Sequence, residues 1–387
     1  MQGRVLTRRL MLGATLLYLC LAVGNGLDRL SAKSPAIARY VPAAFAAQAH
    51  RSRAAEALSG EDRLAALELA RDAVRSDPAD WRASGLLGGA LLAAGSPLSA
   101  DRAFRVAALF GWRDPLTQLH LMNAALKGSQ PSLAAMRLDA VLRQDPDHPL
   151  RDMILARFES SADGRAALAA RLELRPSWTS QFLGKGGKYD LETLRRRAAV
   201  LHPLAGRKWG CDPIAPLVLQ LVEAGDAITA KDLWLAHCPA ASPGIADGRF
   251  TAIATTRQAV PFEWNVQSAG DISVHRATDR SGGIRARITA ASSRLTAWQL
   301  LTLGPGRYRL GWTALSEGRP APETATFSLT CVLGERSPLP SQAAGEMGRF
   351  AAELQINGQC AQQYLAVWLF PSAQEVLLDE VSLERLP

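Results

Sequence analysis

The sequence predicts a multidomain chain, α first and β after: an apolar amino-terminal helix, an α-solenoid of helix pairs, and an antiparallel β-sandwich. Three observations predict it. An apolar run from Leu10 to Gly24 follows Arg4, Arg8 and Arg9. Residues 41–240 are rich in Ala, Leu and Arg with little two-residue alternation, and Asp-Pro recurs at Asp77-Pro78, Asp114-Pro115 and Asp145-Pro146, steps of 37 and 31 residues that average one two-helix unit. After Pro239 the text turns to short alternating or apolar runs punctuated by Gly and Pro, nine of them in about 140 residues, the spacing of a sandwich.

The amino terminus reads as a charged n-region and an h-region, the pattern taken up by the export machinery. Residues 1–26 are expected to be a signal anchor or a signal peptide. A full span takes about 20 apolar residues, so this run of 15 spans only if its flanks join in; Ala22-Val23-Gly24 is only a passable small-residue cleavage site, and the retained anchor is preferred narrowly over the cleaved signal. Thr7-Arg8-Arg9 is a partial twin-arginine match, and Cys20 lies mid-run as an apolar filler. The net charge of +8 is mostly here: residues 1–40 hold six Lys/Arg against one Asp, residues 41–244 hold 25 against 22, and residues 245–387 hold 13 against 13. No basic patch on a folded domain is evident, which argues against nucleic acid as a partner.

Export gives meaning to Cys211, Cys238, Cys331 and Cys360, an even set facing an oxidising compartment. Three pairings are possible. Cys211 with Cys238 and Cys331 with Cys360 keep each bridge within one half, and each loop contributes about 3 kcal/mol in the chain-entropy model. The rival is a zinc site from Cys211, Asp212, His237 and Cys238, which lacks the usual C-x2-4-C pair.

Within 41–240 the best unit is WRASGLLGGALLAAGSPLSADRAFRVAALFGWRDP. Gly88 lets two helices approach, Gly95 ends the first helix, Ala100, Phe104 and Ala107 face inward on the second, and Asp114-Pro115 stops it. This resembles a tetratricopeptide repeat, although the Asp-Pro comes about three residues late and leucine replaces the early aromatic. Fragments persist at Gly60, Ala66 and Ala73, at Gly128 and Ala140, and at Gly225, Ala230 and Trp234. The resemblance implies a protein partner held on the face of a helical repeat domain. The loop GKGGKYD at 184–190 lacks the order of a phosphate-binding loop and is expected to be a turn.

In the strand half, Phe262, Trp264 and Val266 alternate with Glu263 and Asn265. Gly248 and Phe250, the Phe-x-Trp strand, Gly306, Tyr308 and Leu310, and the closing LLDEVSLERL together resemble the jelly-roll domains of carbohydrate-binding modules, over 244–387. The resemblance implies Trp264 in the core and makes Trp298, Trp312, Tyr364 and Trp368 candidate sugar platforms, each with an inward reading as well. Some such modules hold calcium between the first and last strands. Asp379 matches the last-strand acid, but Thr251 follows Phe250 where the first-strand acid would stand.

The six histidines form no H-E-x-x-H or metal-spaced pair, and no G-x-S-x-G occurs; His120 is expected to be a satisfied side chain. The expectation is therefore a protein without catalysis, cofactor or metal: a cell-envelope scaffold, periplasmic and anchored in the inner membrane by its first helix, serving polysaccharide assembly or export through its repeats. The alternative is a carbohydrate-binding protein using the sandwich.

Overall fold

The structure, a computed structural model, describes residues 2–207, 209–239, 241–253, 262–268, 270–279, 281–335, 337–372 and 374–387. Two compact units, Met1–Trp178 and Thr179–Pro387, divide the chain. The last helix ends at His237 and the first strand begins at Asn265, so the change from helix to strand falls inside the second unit.

In the first unit, α1 (Gln2–Ser31) leads through 3-10 turns at Pro35–Tyr40 and Ala43–Phe45 into helix pairs: α2 (Ala47–Ser59) with α3 (Arg63–Ser76), α4 (Trp81–Ala93) with α5 (Pro97–Leu109), α6 (Pro115–Lys127) with α7 (Pro131–Gln144), and α8 (Arg151–Glu159) with α9 (Ala162–Leu172). By length and composition α1 can cross a membrane over Met11–Ser31. The first three pairs close by one repeated device. Glu61, Gly95 and Ser129 take positive φ of 63°, 76° and 55°, and the next amide reaches back to Ala57, Leu91 and Ala125 carbonyls at 2.9, 2.8 and 2.9 Å, the left-handed closure that ends helices.

These three residues stand 34 apart, and the period continues inside the helices. Ala66, Ala100 and Ala134 are each 0% exposed, and Ala73, Ala107 and Val141 each 1%. Gly60 and Gly128 directly precede the left-handed residues Glu61 and Ser129. One sequence assignment is corrected by this register. Asp114 does not stop α5; its carboxylate accepts from the Thr117 amide at 2.9 Å and caps α6, as Asp80, 34 residues earlier, caps α4. Asp114-Pro115 looked late because its counterpart is Asp80, not Asp77.

The second unit opens with α10 (Thr179–Phe182), α11 (Leu191–Leu201), α12 (Cys211–Glu223) and α13 (Ala227–His237). Gly225 again takes positive φ, 85°, and Ala230 and Trp234 are buried. Eleven strands follow among the described residues: β1 (Asn265–Val266), β2 (Ile272–Arg276), β3 (Ile284–Ile288), β4 (Arg294–Leu301), β5 (Gly306–Ser316), β6 (Arg319–Pro320), β7 (Ala325–Thr330), β8 (Gln342–Ala343), β9 (Arg349–Ile356), β10 (Gln363–Leu369) and β11 (Val376–Arg385). Each of the nine alternating runs supplies one strand, and β6 and β8 are two-residue additions. One sheet runs β1-β4-β10-β7, the other β2-β3-β11-β5-β9-β8 with β6 on β5, all antiparallel. Alternate side chains of both sheets, including Leu310, Trp312, Phe327, Leu365 and Val367, fill one core. The chain is thus a set of helix pairs, three of them on a 34-residue period, followed by an antiparallel β-sandwich.

Candidate functional site

The first helices of three consecutive pairs share one face of the first unit. Between them lies a groove of about 670 Å³, lined from α2 by Arg51 and Glu56, from α4 by Trp81, Arg82 and Leu86, and from α6 by Asp114, Pro115 and Leu116, with Ala32 and Pro35 at one end. The Arg82 guanidinium carbon lies 4.1 Å from the Trp81 ring centroid, a cation–π contact that presents charge on an aromatic base. Arg51 is paired with Asp80. Asp114 is 6% exposed, and burial raises its pKa against the opposing pull of the Thr117 hydroxyl and amide and of Arg82. Gly85 makes room for it, since a Cβ there would fall 1.9 Å from Asp114 Oδ2. The lining offers an aromatic ring, aliphatic surface, guanidinium donors and a carboxyl group, the mixture a peptide segment can use. Sequence reasoning named only Asp114 and Pro115 among these residues, and as a helix stop rather than as a groove lining; the 34-residue step from Asp80 to Asp114 was the available signal.

On the sandwich, three of the four candidate aromatics share an outward face. Ala297, Leu301, Leu365, Val367 and Leu369 point into the core, so Trp298, Tyr364 and Trp368 stand on the opposite side of their sheet. Trp298 pairs with Ala366, Tyr364 with Leu300 and Thr330, and Trp368 with Thr326. All three are half-buried. The Trp298 and Tyr364 rings meet edge-on at 5.8 Å, Trp368 Nε1 donates to Ser328 Oγ at 2.9 Å, and burial raises the Tyr364 pKa. Trp312 is excluded from this platform. It lies on β5 opposite Phe350, 1% exposed and 4.8 Å from the Phe327 ring, because its parity on the strand points it between the sheets. Trp264 packs on the core with its ring 5.0 Å from Phe250.

The cysteines pair as Cys211–Cys238 and Cys331–Cys360, with Cα atoms 4.4 and 5.9 Å apart. Cys331 and Cys360 flank neighbouring strands: Thr330 of β7 pairs with Tyr364 of β10. Cys211 and Cys238 join the start of α12 to the end of α13, and a Glu263 oxygen lies within 4.8 Å of both sulfurs. Bonded to each other, these sulfurs are not thiolate ligands, which removes the zinc alternative built on Asp212 and His237. Beside them Lys231, 4% exposed, donates to the Ser242 carbonyl at 2.6 Å and sits 4.8 Å from the Phe262 ring, tying α13 to the start of the sandwich. Burial lowers its pKa to about 8.

The calcium position does not fit a cation. Asp379 is 0% exposed, but the Arg249 guanidinium approaches its Oδ1 at 3.9 Å, and Asp247, the nearby acid of the opening segment, spends its carboxylate on the Thr251 and Ala252 amides at 2.8 and 2.7 Å. His120 is stacked on Phe104 at 4.2 Å and faces Asp101 at 3.3 Å. The 184–190 loop is a turn whose Gly184 and Gly187 carbonyls accept from Gln220 at 3.2 and 3.0 Å.

No protein-family model and no curated protein matches the sequence. Among solved structures the chain is similar to a protein designated sugar-binding from Bacteroides thetaiotaomicron, at 11% identity over 37% of this chain and 100% of that one, with a TM-score of 0.29. It is similar to TmCBM61, solved with β-1,4-galactotriose, at 16% identity over 37% and 95%, TM-score 0.24. It is also similar to Pseudomonas aeruginosa pilF, at 16% identity over 48% and 95%, TM-score 0.25.

Proposed function

We propose that this is a non-catalytic scaffold of the cell envelope, whose helical repeats dock a protein partner in the service of polysaccharide assembly or export. The observation that carries the reading is the groove across α2, α4 and α6, with Trp81, Arg82, Asp114 and Leu116 in its lining. Three further features support the setting. The segment Gly24–Ser31 of α1 packs into the fold through Leu27 and Asp28, which favours an anchor kept in the inner membrane over a signal that is removed. The two disulfides suit an oxidising compartment on the periplasmic side. The sandwich follows the repeats in one chain. The test is affinity isolation of the full chain from detergent-solubilised envelopes, native against a Trp81→Ala/Arg82→Glu variant. Loss of one stoichiometric protein from the variant, with its melting temperature unchanged, supports docking in the groove; equal recovery from both contradicts it.

A second reading, glycan binding by the sandwich, is favoured by the outward cluster of Trp298, Tyr364 and Trp368. Stacking of sugar rings on aromatic faces is how such a surface would act. Glycan-array binding by the full chain, abolished in a Trp298→Ala/Trp368→Ala variant, supports it; absence of binding to envelope and extracellular polysaccharides counts against it.

A further inference from the structure

Helix α1 continues beyond its apolar run. The run ends at Gly24, whereas the helix reaches Ser31, and the extra turns have one face committed to the fold. Gly24, Leu27, Asp28 and Ser31 fall at i, i+3, i+4 and i+7. A Cβ at Gly24 would lie 2.5 Å from the Phe45 ring. Leu27 packs with Ala38, Val41, Ala46 and Ala49. The Asp28 carboxylate accepts from the Gln48 and Ala49 amides at 3.1 and 2.8 Å, so a residue of α1 caps the start of α2. The Ser31 carbonyl accepts from Ser52 Oγ at 3.0 Å.

These contacts fix a direction. Asp28 meets Gln48 and Ala49, and Ser31 meets Ser52, so α2 runs alongside α1 in the same sense. The connection 32–46 must therefore double back along α1, from Ser31 to the level of Gly24, about 10 Å at 1.5 Å per residue. Phe45 against Gly24 marks the bottom of that return. The connection thus forms a partial collar against one face of α1, at the level where the apolar run stops.

The outward side chains of the collar share one chemistry. Tyr40 is 67% exposed and Leu30 51%; Pro42, Ala43 and Ala44 are exposed, as are Arg29, Lys33 and Arg39. The Arg39 guanidinium carbon lies 5.1 Å from the Tyr40 ring centroid. Between Asp28, which is turned inward, and Glu56 the sequence has no acid. The apolar run alone spans about 22 Å at 1.5 Å per residue, short of a hydrocarbon core of about 30 Å; the stretch Met11–Ser31 that is long enough includes the turns packed on the fold, so an α1 retained as an anchor would bring those turns and their surroundings to the bilayer interface.

We propose that this collar is a membrane-interface foot: Tyr40 and the small apolar residues 42–44 sit among lipid headgroups, while Arg29, Lys33 and Arg39 engage their anionic groups. The proposal rests on the reading of α1 as a retained anchor. Tyrosine favours the headgroup level, and each Lys or Arg held near an anionic lipid surface is attracted to it. A foot of this kind, joined to α2 through Asp28, holds the first repeat at a set height above the bilayer.

The test uses the full chain in vesicles of POPC and POPG at 3:1, with spin-label depth read from collisions with oxygen and with a water-soluble nickel complex. Native Cys20, the free cysteine, reports the anchor. In a Cys20→Ser background, Ala43→Cys reports the collar and Leu98→Cys, at a site 82% exposed, reports open solvent. The foot predicts residue 20 in hydrocarbon, residue 43 at headgroup depth and residue 98 in water, with residue 43 moving outward in POPC alone or when Arg29, Lys33 and Arg39 are changed to Gln. Hydrocarbon at 20 with residue 43 as aqueous as 98 overturns the foot and leaves the anchor. An unchanged depth at 43 in POPC overturns the assignment of anionic lipid. An aqueous residue 20 overturns the anchor and the foot with it.

Discussion

Gly88 and Gly89 are neighbours on α4, and the structure assigns opposite signs to the same substitution at the two positions. A Cβ at Gly88 would lie 2.7, 2.8 and 2.8 Å from three ring carbons of Phe104, well inside the 3.5–4.0 Å optimum for carbon contacts. Phe104 is 2% exposed and stacked on His120, so the ring has no free direction in which to retreat. Overpacking costs about 1–3 kcal/mol, and the helix gains about 1 kcal/mol when glycine becomes alanine. Gly88→Ala should therefore destabilise by about 1 kcal/mol, a fall of about 2–4 °C for a unit of this size, and Gly88→Leu by more. At Gly89 the nearest atoms are Leu58 Cδ2 at 3.4 Å and Leu116 Cδ1 at 3.8 Å, ordinary contacts, so Gly89→Ala keeps the helix gain and should raise the melting temperature by about 2–4 °C. Phe104→Leu should relieve Gly88→Ala, giving a coupling of favourable sign in the double variant. Thermal melts followed by circular dichroism at 222 nm compare the set. A Gly88→Ala protein that melts at or above the Gly89→Ala protein would refute the packing assigned to α4 and α5.

Three other outcomes are expected. Lys231 has a folded pKa of about 8 against 10.5, so between those values the unfolded chain binds more protons and stability climbs with rising pH, by up to about 3 kcal/mol; denaturant titrations at pH 7 to 10 should show this rise in the native chain and lose it in Lys231→Met. Trp312→Ala should cost about 3–5 kcal/mol, measured by urea unfolding of the second unit, whereas Trp298→Ala on the outward face should cost clearly less; similar costs would contradict the parity assigned to β4 and β5. Non-reducing peptide mapping should recover the 211–238 and 331–360 links, and Cys331→Ser/Cys360→Ser should lower stability by about 3 kcal/mol, with free thiols at 331 and 360 in the native protein as the contrary result.

The parts of the fold legible in sequence are those written locally. Helix and strand differ in apolar period, and each of the nine alternating runs supplied a strand. Gly95, Ala100, Phe104 and Ala107 announced one helix pair because small, large and turn-forming residues sit at fixed offsets. The other pairs hid their register: Glu61 and Ser129 adopt the left-handed turn without glycine, and Asp114 caps a helix where an Asp-Pro is easily read as a stop. The groove was not legible, since Arg51, Trp81 and Leu116 are brought together by stacking of helices about 30 residues apart. Parity along a strand fixes which residues share a face but not which face is the core. That is why Trp298 and Trp312 were indistinguishable until the strands were paired.

The central claim is that the groove across α2, α4 and α6 holds a protein partner. Site-specific photocrosslinking in living cells tests it most directly, with a photoreactive residue at Leu116 in the groove, 41% exposed, and the same residue at Leu109 on α5, outside the groove and 85% exposed. The account predicts one discrete adduct from position 116, identified by mass spectrometry as the same protein in repeated preparations and lost in the Trp81→Ala/Arg82→Glu background, with no such adduct from position 109. No adduct from 116, or equal adducts from both positions, would contradict it.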